Sequence, residues 1–323
     1  IVRVRQKVDG VRRNMGLFFT DAPSVEDQRI VTIDCIDYVG LMDQAEYMGG
    51  LWLDGITAGD LLADIMQSAG IVDYEIDAEL AAATVKGYLP VNTHREALRQ
   101  LAFAVGAMVT CARGDKLHVI RAPTAASSTI QPHDKVTGHY QEQREYVSGV
   151  EVYVHDYVLG GLSNNTTELF SADCDIGEQL VKFSSPATKL SCSGASILES
   201  GVNYARLNVT VAGMVTLTGR VYEDQTSLGG SVYAAQMPAG ARVNVKTFED
   251  CTLSADPQQT AQRLYDYYQR RVEDTGDLFP VAAAAGDKVE LQTAGGRTLT
   301  GIVESMDIDL YGGGIAKAVV VGG

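Results

Sequence analysis

A long stretch without helical periodicity constrains the fold of this sequence more than any other feature. From Val147 to about Val245, apolar residues alternate with polar ones, as in Val150, Val152 and Val154. Alternation with a period of two residues is typical of strands that bury one face. Clusters of turn-forming residues divide the stretch at 160–161, 163–166, 193–194 and 229–230, and strands are expected at 207–211 and 215–221. Residues 160–240 are therefore predicted to form an all-β insertion with the spacing of a β-sandwich.

Strand patterns also occur near both ends of the chain. Val2, Val4 and Val8 alternate with basic residues, and a second alternating run covers residues 30–36. The C-terminal part predicts a small barrel-like module, with strands at 286–291, 299–303, 306–310 and 316–321 and glycine-rich turns at 294–297 and 312–314. The basic face of the first strand could contact nucleic acid, but a solvated or subunit-facing surface is the favoured interpretation.

Two helices are predicted by the same start signal. Thr57 is followed three residues later by Asp60, and Thr93 is followed by Glu96. A threonine that accepts from the third helical N–H, with an acid reaching back, forms a capping box. Glycines at 70 and 106 supply the stops. With a hairpin at 107–121, these helices predict a compact α/β unit.

A third helix begins after Asp256, with Pro257 at its first position. Apolar residues recur at helical spacing from Ala261 to Val272, and three arginines lie beside tyrosines. Base stacking with phosphate contacts is one interpretation. An amphipathic surface helix is favoured, since nearby acids offset the arginines.

The composition excludes several classes of protein. The 323 residues include 46% hydrophobic residues, so two or three folded units are expected. The formal charge of −15 argues against a general nucleic-acid binder and against a protein held to an anionic membrane by charge. No apolar run approaches the roughly 18–20 residues that cross a bilayer. The five cysteines are widely spaced, which argues against a disulfide scaffold and a zinc site. The chain opens without methionine or a signal pattern and is expected to begin within a longer product.

No catalytic motif is present in the sequence. The nucleophile elbow, the zinc-protease helix and both glycine-rich phosphate loops are missing. The five histidines fall on different predicted elements, at His94, His118, His133, His139 and His155. His133, Asp134 and His139 form the one loose cluster. Each histidine is interpreted as a surface or strand residue.

Two pairs of acids imitate the start of a calcium loop. Asp173 and Asp175 form one pair and Asp307 and Asp309 the other, but no bidentate glutamate closes either loop. Strand alternation explains the second pair, with its carboxylates facing outward. No catalytic, cofactor-binding or metal-binding residue is predicted, and no cofactor.

The order of elements resembles a family of phage proteins. The motif Asp34-Cys35-Ile36-Asp37 is followed by the first helix, the segment 87–90 and the helix that begins at Thr93. Near the end, 263–268 precede a Gly-Asp-Lys-Val strand, 301–310, a glycine turn and Ala-Lys-Ala. Over about 17–155 and 245–323, this resembles the tail hub proteins of phages and prophages of Gram-positive hosts, relatives of the baseplate hub and late-control protein D group.

The resemblance implies a β-rich α+β fold with barrel-like tube domains, an α/β brace and an all-β insertion. The implied domains are part of a first tube barrel (1–55), the brace (56–121), a linker with strands of the second barrel (122–159), the insertion (160–240) and a helix with the C-terminal module (241–323). The second barrel would combine strands after Leu117, or those near 147–158, with the C-terminal module.

The implied function is structural. Three copies would close a ring at the distal end of the tail tube, at the tail tip of a virion assembled in the host cytoplasm. The partners would be tube and distal tail proteins and a tip, fibre or spike protein. DNA would only pass through, without membrane insertion by this chain. Three copies carry three times −15, or −45, and any part of that charge lining the channel would repel DNA.

Two alternatives stay open. One is a tail-associated enzyme that degrades cell walls, although no added catalytic constellation supports it, and a zymogram on host walls would detect it. The other makes 160–240 a carbohydrate-binding or receptor-binding module, which adsorption of that segment to host cells would support.

Overall fold

The computed structural model describes residues 1–8, 10–26, 30–136, 138–160, 166–279, 283–292, 296–310 and 314–323. Within these residues the chain has the β-rich α+β fold that the sequence predicts, with strands in several separate sheets and a few short helices. Of the predicted turns at 160–161, 163–166, 294–297 and 312–314, residues 161, 163–165, 294–295 and 312–313 lie outside the described residues.

A three-stranded antiparallel sheet begins the chain. Its strands are β1 (Val2–Val8), β2 (Val11–Glu26) and β3 (Ile30–Ile36). The middle strand β2 is long enough to pair with β1 through its first half and with β3 through its second half. The second half of β2 and β3 therefore form a two-stranded arm, which we call the β2–β3 arm.

The α/β unit follows and contains the largest core. Its elements are α1 (Tyr38–Leu41), β4 (Glu46–Tyr47), β5 (Gly50–Thr57), α2 (Ala58–Ser68), β6 (Tyr74–Ile76), α3 (Ala78–Ala81), β7 (Thr84–Leu89), β8 (Asn92–Thr93), α4 (His94–Val105), β9 (Ala107–Thr110) and β10 (Leu117–Arg121). Helices α2 and α4 bury Leu61, Ile65, Leu98 and Leu101 in one shared cluster. Burying aliphatic side chains in this way is the main source of the unit's stability.

The two predicted helix starts are confirmed, with one difference. Thr57 Oγ1 accepts from the backbone N–H of Asp60 at 3.1 Å, and Thr93 Oγ1 accepts from that of Glu96 at 3.2 Å. The capping box also predicts that the acid accepts from the backbone N–H of the threonine, but in both helices the acid has a different donor. Asp60 accepts from the Thr57 hydroxyl, and Glu96 accepts from Arg99. Glutamate prefers the bidentate guanidinium because charged hydrogen bonds are stronger than neutral ones.

A six-stranded half-barrel sheet combines strands from two distant parts of the chain. The contributing strands are β11 (Ser128–Ile130), β12 (Tyr140–Gln143), β22 (Val272–Leu278), β23 (Lys288–Gln292), β24 (Thr298–Asp309) and β25 (Ile315–Gly322). They lie in the order β11-β23-β24-β25-β22-β12. Two separate strands were predicted between 299 and 310, and this was wrong. A register shift near Val303 bends a single strand there instead of ending it.

The insertion is a two-layer β-sandwich, and one long strand continues from it into the neighbouring sheet. One layer contains β14 (Thr167–Cys174), β16 (Ala187–Ser193) and part of β19 (Gly213–Tyr233), and the other contains β15 (Gly177–Lys182), β17 (Ser196–Ser200) and β18 (Tyr204–Val209). The far half of β19 pairs with β13 (Gly149–Leu159), which also pairs with β20 (Val245–Phe248). Strand β13 therefore joins β19 and β20 and lies outside the half-barrel sheet.

The expected turn at Gly229-Gly230 was wrong, because both glycines lie inside β19. Short strand β21 (Leu253–Ser254) leads to α5 (Pro257–Tyr268), whose N-terminus packs on these glycines. A Cβ atom at Gly230 would overlap with the backbone carbonyl of Pro257. The glycine pair marks a close approach of strand and helix rather than a chain reversal.

Candidate functional site

The described histidines lie at separate places in the fold, and the predicted surface or strand position was wrong for His94. His94 is buried at the start of α4, where its two ring nitrogens contact the carbonyl of Ala45 and the hydroxyl of Ser68, each at 2.9 Å. His133 is exposed near Asp134, whereas His139 lies against Asp274. Across the described ranges, no group of three or more His, Cys, Asp or Glu side chains is placed to hold a metal ion.

His139 connects the linker to the half-barrel sheet. Its Nδ1 lies 3.0 Å from a carboxylate oxygen of the buried Asp274, and its Nε2 lies 2.7 Å from the carbonyl of Asp277. Each ring nitrogen therefore has an oxygen atom of the half-barrel sheet within hydrogen-bond distance. A Cβ atom at Gly276 would overlap with this ring. The arrangement holds two segments together and leaves neither nitrogen open to a substrate.

The four aspartates of the acid pairs are exposed, on strands or just after one. Asp307 and Asp309 are exposed on β24, and Asp307 is directly opposite Lys317 on β25. Asp173 is exposed near the end of β14, and Asp175 lies in the following turn. Their distribution is that of solvated strand faces, as predicted for the second pair.

A network around Arg144 fixes α5 to the half-barrel sheet. The guanidinium donates to both carboxylate oxygens of Glu304 at 2.9 Å and to Glu273 at 3.0 Å. It also donates to Tyr267 at 3.1 Å, and the Tyr267 hydroxyl donates to Glu304. Burial acts to lower the pKa of Arg144, but the bonds to Tyr267 and Glu304 outweigh it and raise that pKa. No signal in the sequence pointed to this network, since its members are up to 160 residues apart.

An apolar groove lies between the N-terminal sheet and the half-barrel sheet. Val4 and Phe18 form one wall, Met306 and Ile308 form the other, and Arg113 contributes from the β9–β10 turn. The cavity measures about 300 Å³. Arg113 donates to the carbonyl of Ala283, which attaches the β9–β10 turn of the α/β unit to the segment before β23. The alternation of Met306 and Ile308 with the two aspartates was the one sequence signal for this wall.

The N-terminal sheet is attached to the α/β unit through Asp115. Asn14 donates to its carboxylate at 3.0 Å, and Arg3 lies 3.5 Å away. These contacts hold the pKa of Asp115 below its ordinary value, first through the Asn14 hydrogen bond. The groove and this anchor place the first and last sheets of the chain next to each other.

Comparison with solved structures shows where this fold occurs. The tail protein from Neisseria meningitidis MC58 superposes with a TM-score of 0.55 at 11% identity, over 96% of this chain and 82% of that one. The 43 kDa tail protein of prophage MuSo2 from Shewanella oneidensis gives a TM-score of 0.51 at 12% identity, over 98% of this chain and 80% of that one. No protein-family model matches the sequence, and no curated protein matches it. The chain therefore has the fold of phage and prophage tail proteins, as the resemblance predicted.

None of the described helices is both long enough and apolar enough to cross a bilayer.

Proposed function

We propose that this protein is a structural tail hub, three copies of which form a ring at the distal end of a phage tail tube. The ring joins the tube and distal tail proteins to a tip, fibre or spike protein and lets DNA pass. The host type in this proposal is Gram-positive, and the protein acts without catalysing a reaction.

One observation carries the proposal. The N-terminal sheet and the half-barrel sheet lie side by side across the apolar groove, although they come from opposite ends of the chain. Because each chain contributes two adjacent sheets, three copies would place six sheets around one axis. Closed cyclic symmetry is the usual arrangement of homo-oligomers. The shared fold of tail proteins supports the same assignment.

The packing between units supports a load-carrying role. Arg144 connects the linker, α5 and β24, and Asn203 connects the insertion to the α/β unit. Both residues form hydrogen bonds between segments that are far apart in sequence. A component that closes a tube needs such cross-links, because relative domain motion is the default when interfaces are small.

The experiment combines mass and location. Native mass spectrometry should give three times the chain mass of 34.6 kDa, and gold-labelled antibody should bind at the distal end of purified tails. A protein that stays a single subunit and is missing from purified tails overturns the proposal. A lysis band in a zymogram of the purified protein would favour the cell-wall-degrading enzyme instead.

A further inference from the structure

The N-terminal sheet has opposite charges at its two ends. The β1–β2 hairpin carries exposed Arg3, Arg5, Lys7 and Arg12, which we call the basic patch. Apart from the contact of Arg3 with Asp115, these side chains make no ion pair with any described residue. The β2–β3 arm instead carries Asp21 and Asp34, both exposed.

Register places the two aspartates together. Thr20 pairs with Cys35 and Pro23 pairs with Ile33, so Asp21 and its neighbour Ala22 bulge opposite Asp34. Asp21 accepts a bond from Gln44 at 3.1 Å, and neither carboxylate is in an ion pair with a described residue. The arm therefore presents a concentrated negative charge.

Only the base of the β2–β3 arm is supported by described residues of its own chain, where Phe19 packs against Tyr38 and Gln44 donates to Asp21. Apart from the half-buried Phe19, Cys35 and Ile36, its described side chains are exposed on both faces, namely Thr20, Asp21, Ala22, Ser24, Thr32, Ile33 and Asp34. The second half of β2 pairs only with β3, and β3 pairs only with β2, so each strand has a free edge. An isolated two-stranded hairpin is marginally stable in water. The arm therefore needs a surface to rest on.

The two charged regions cannot neutralise each other within one copy. Arg12 and Asp21 lie on the same strand β2, and roughly 30 Å of extended backbone separates them. This exceeds the Debye length of about 10 Å at moderate ionic strength. Within one copy each region is therefore neutralised by solvent and salt ions, and a protein complement for it would belong to another molecule.

We propose that the acidic β2–β3 arm of one copy docks on the basic patch of the next copy, in a head-to-tail joint. The joint is heterologous, so it closes into a ring when the rotation per copy fits. Its occupant is a second copy because this chain supplies both charges, and the free edges of the arm offer backbone groups for pairing. This inference rests on the proposed ring and specifies which surfaces close it.

Charge reversal tests the joint. One variant carries Asp21→Lys with Asp34→Lys, another carries Arg5→Glu with Lys7→Glu, and a third carries all four changes. Like charges brought into contact repel each other, so each pair of changes should weaken association between copies at least about tenfold. The fourfold variant should restore it to within about threefold, because opposite charges face each other again. Sedimentation at about 0.05 M salt measures association between copies. Raising the salt concentration should weaken association of the wild-type protein, because salt screens the attraction between opposite charges.

Matched controls carry the same change in net charge elsewhere. Glu168→Lys with Asp175→Lys and Lys189→Glu with Arg242→Glu alter exposed residues outside the N-terminal sheet and should leave association unchanged. Thermal unfolding of every variant should match the wild type, which excludes a folding defect as the cause.

The possible outcomes separate this inference from the proposed function. A wild-type trimer that neither pair of changes weakens overturns the joint and leaves the ring intact. Weakening by both pairs without recovery in the fourfold variant shows that the regions contact other surfaces, and also overturns the joint. A wild type that stays a single subunit at every salt concentration overturns the ring itself.

Discussion

The side-chain amide of Asn203 donates a hydrogen bond of 2.8 Å to the carbonyl oxygen of Leu89, across 114 residues of sequence. The same nitrogen donates to the carbonyl of Met48, also at 2.8 Å. Asn203 is fully buried, and a Cβ atom at Gly49 would overlap with its amide. A single side chain of the insertion thus satisfies two backbone acceptors of the α/β unit.

Replacing Asn203 with alanine should destabilise the protein by about 1–3 kcal/mol, because two buried carbonyl groups lose their donor. Urea unfolding followed by circular dichroism measures the change. The control is Asn208→Ala on β18, the strand that begins directly after Asn203, where the side chain is half-buried and the expected change is below about 0.5 kcal/mol. Equal effects of the two substitutions would contradict the anchoring role.

Replacing Gly230 with alanine should cost about 1–3 kcal/mol by overpacking, because the new methyl group meets the backbone of Pro257. Backbone atoms cannot move aside as a flexible side chain can, so α5 must shift. The comparison is Gly323→Ala, where the nearest atom lies at 3.5 Å and the melting temperature should not change. An unchanged melting temperature for Gly230→Ala would show that β19 and α5 separate easily.

The sequence predicts those structural features that depend only on residues close together in the chain. Thr57 and Thr93 cap helices through bonds to residues three positions later, and the strand Ile30–Ile36 follows plain alternation. Gly229 and Gly230 were taken for a turn, since a glycine pair is typical of one and only the position of α5 reveals the other use. The apolar groove depends even more on contacts between residues that are far apart in the sequence. Val4 and Ile308 line one groove from opposite ends of the chain, and no local pattern encodes their meeting.

Arg144 and Glu304 should show strong energetic coupling. Their bidentate contact is about three-quarters buried, with side-chain exposures of 29% and 25%. A double-mutant cycle with Arg144→Ala and Glu304→Ala should give a coupling energy of about 1–3 kcal/mol. Arg95 and Asp43 form a comparison pair at 2.6 Å with 56% and 44% exposure, and should couple by less than about 1 kcal/mol because solvent screens them. Equal coupling in the two cycles would mean that burial adds nothing to the Arg144 contact.

Two of the five cysteines should resist alkylation in the folded protein. Burial raises the pKa of Cys111 and of Cys251 to about 12, and Cys251 also lies 3.2 Å from the carbonyl of Leu253. The thiolate is the reactive form, and at pH 8 a thiol with that pKa is ionised in only about one molecule in ten thousand. Iodoacetamide labelling followed by peptide mass spectrometry should therefore modify the half-exposed Cys35, Cys174 and Cys192 before the two buried cysteines.

The same measurement in urea provides the control, since unfolding removes the burial that raises the two pKa values and all five cysteines should then react at similar rates. Raising the pH of the folded protein from 8 to 9 should increase the labelling rate of Cys251 about tenfold, because its thiolate fraction grows tenfold per pH unit well below the pKa. Labelling of Cys251 as fast as Cys35 at pH 8 would show that β21 and α4 open readily, and would contradict a rigid core in the α/β unit.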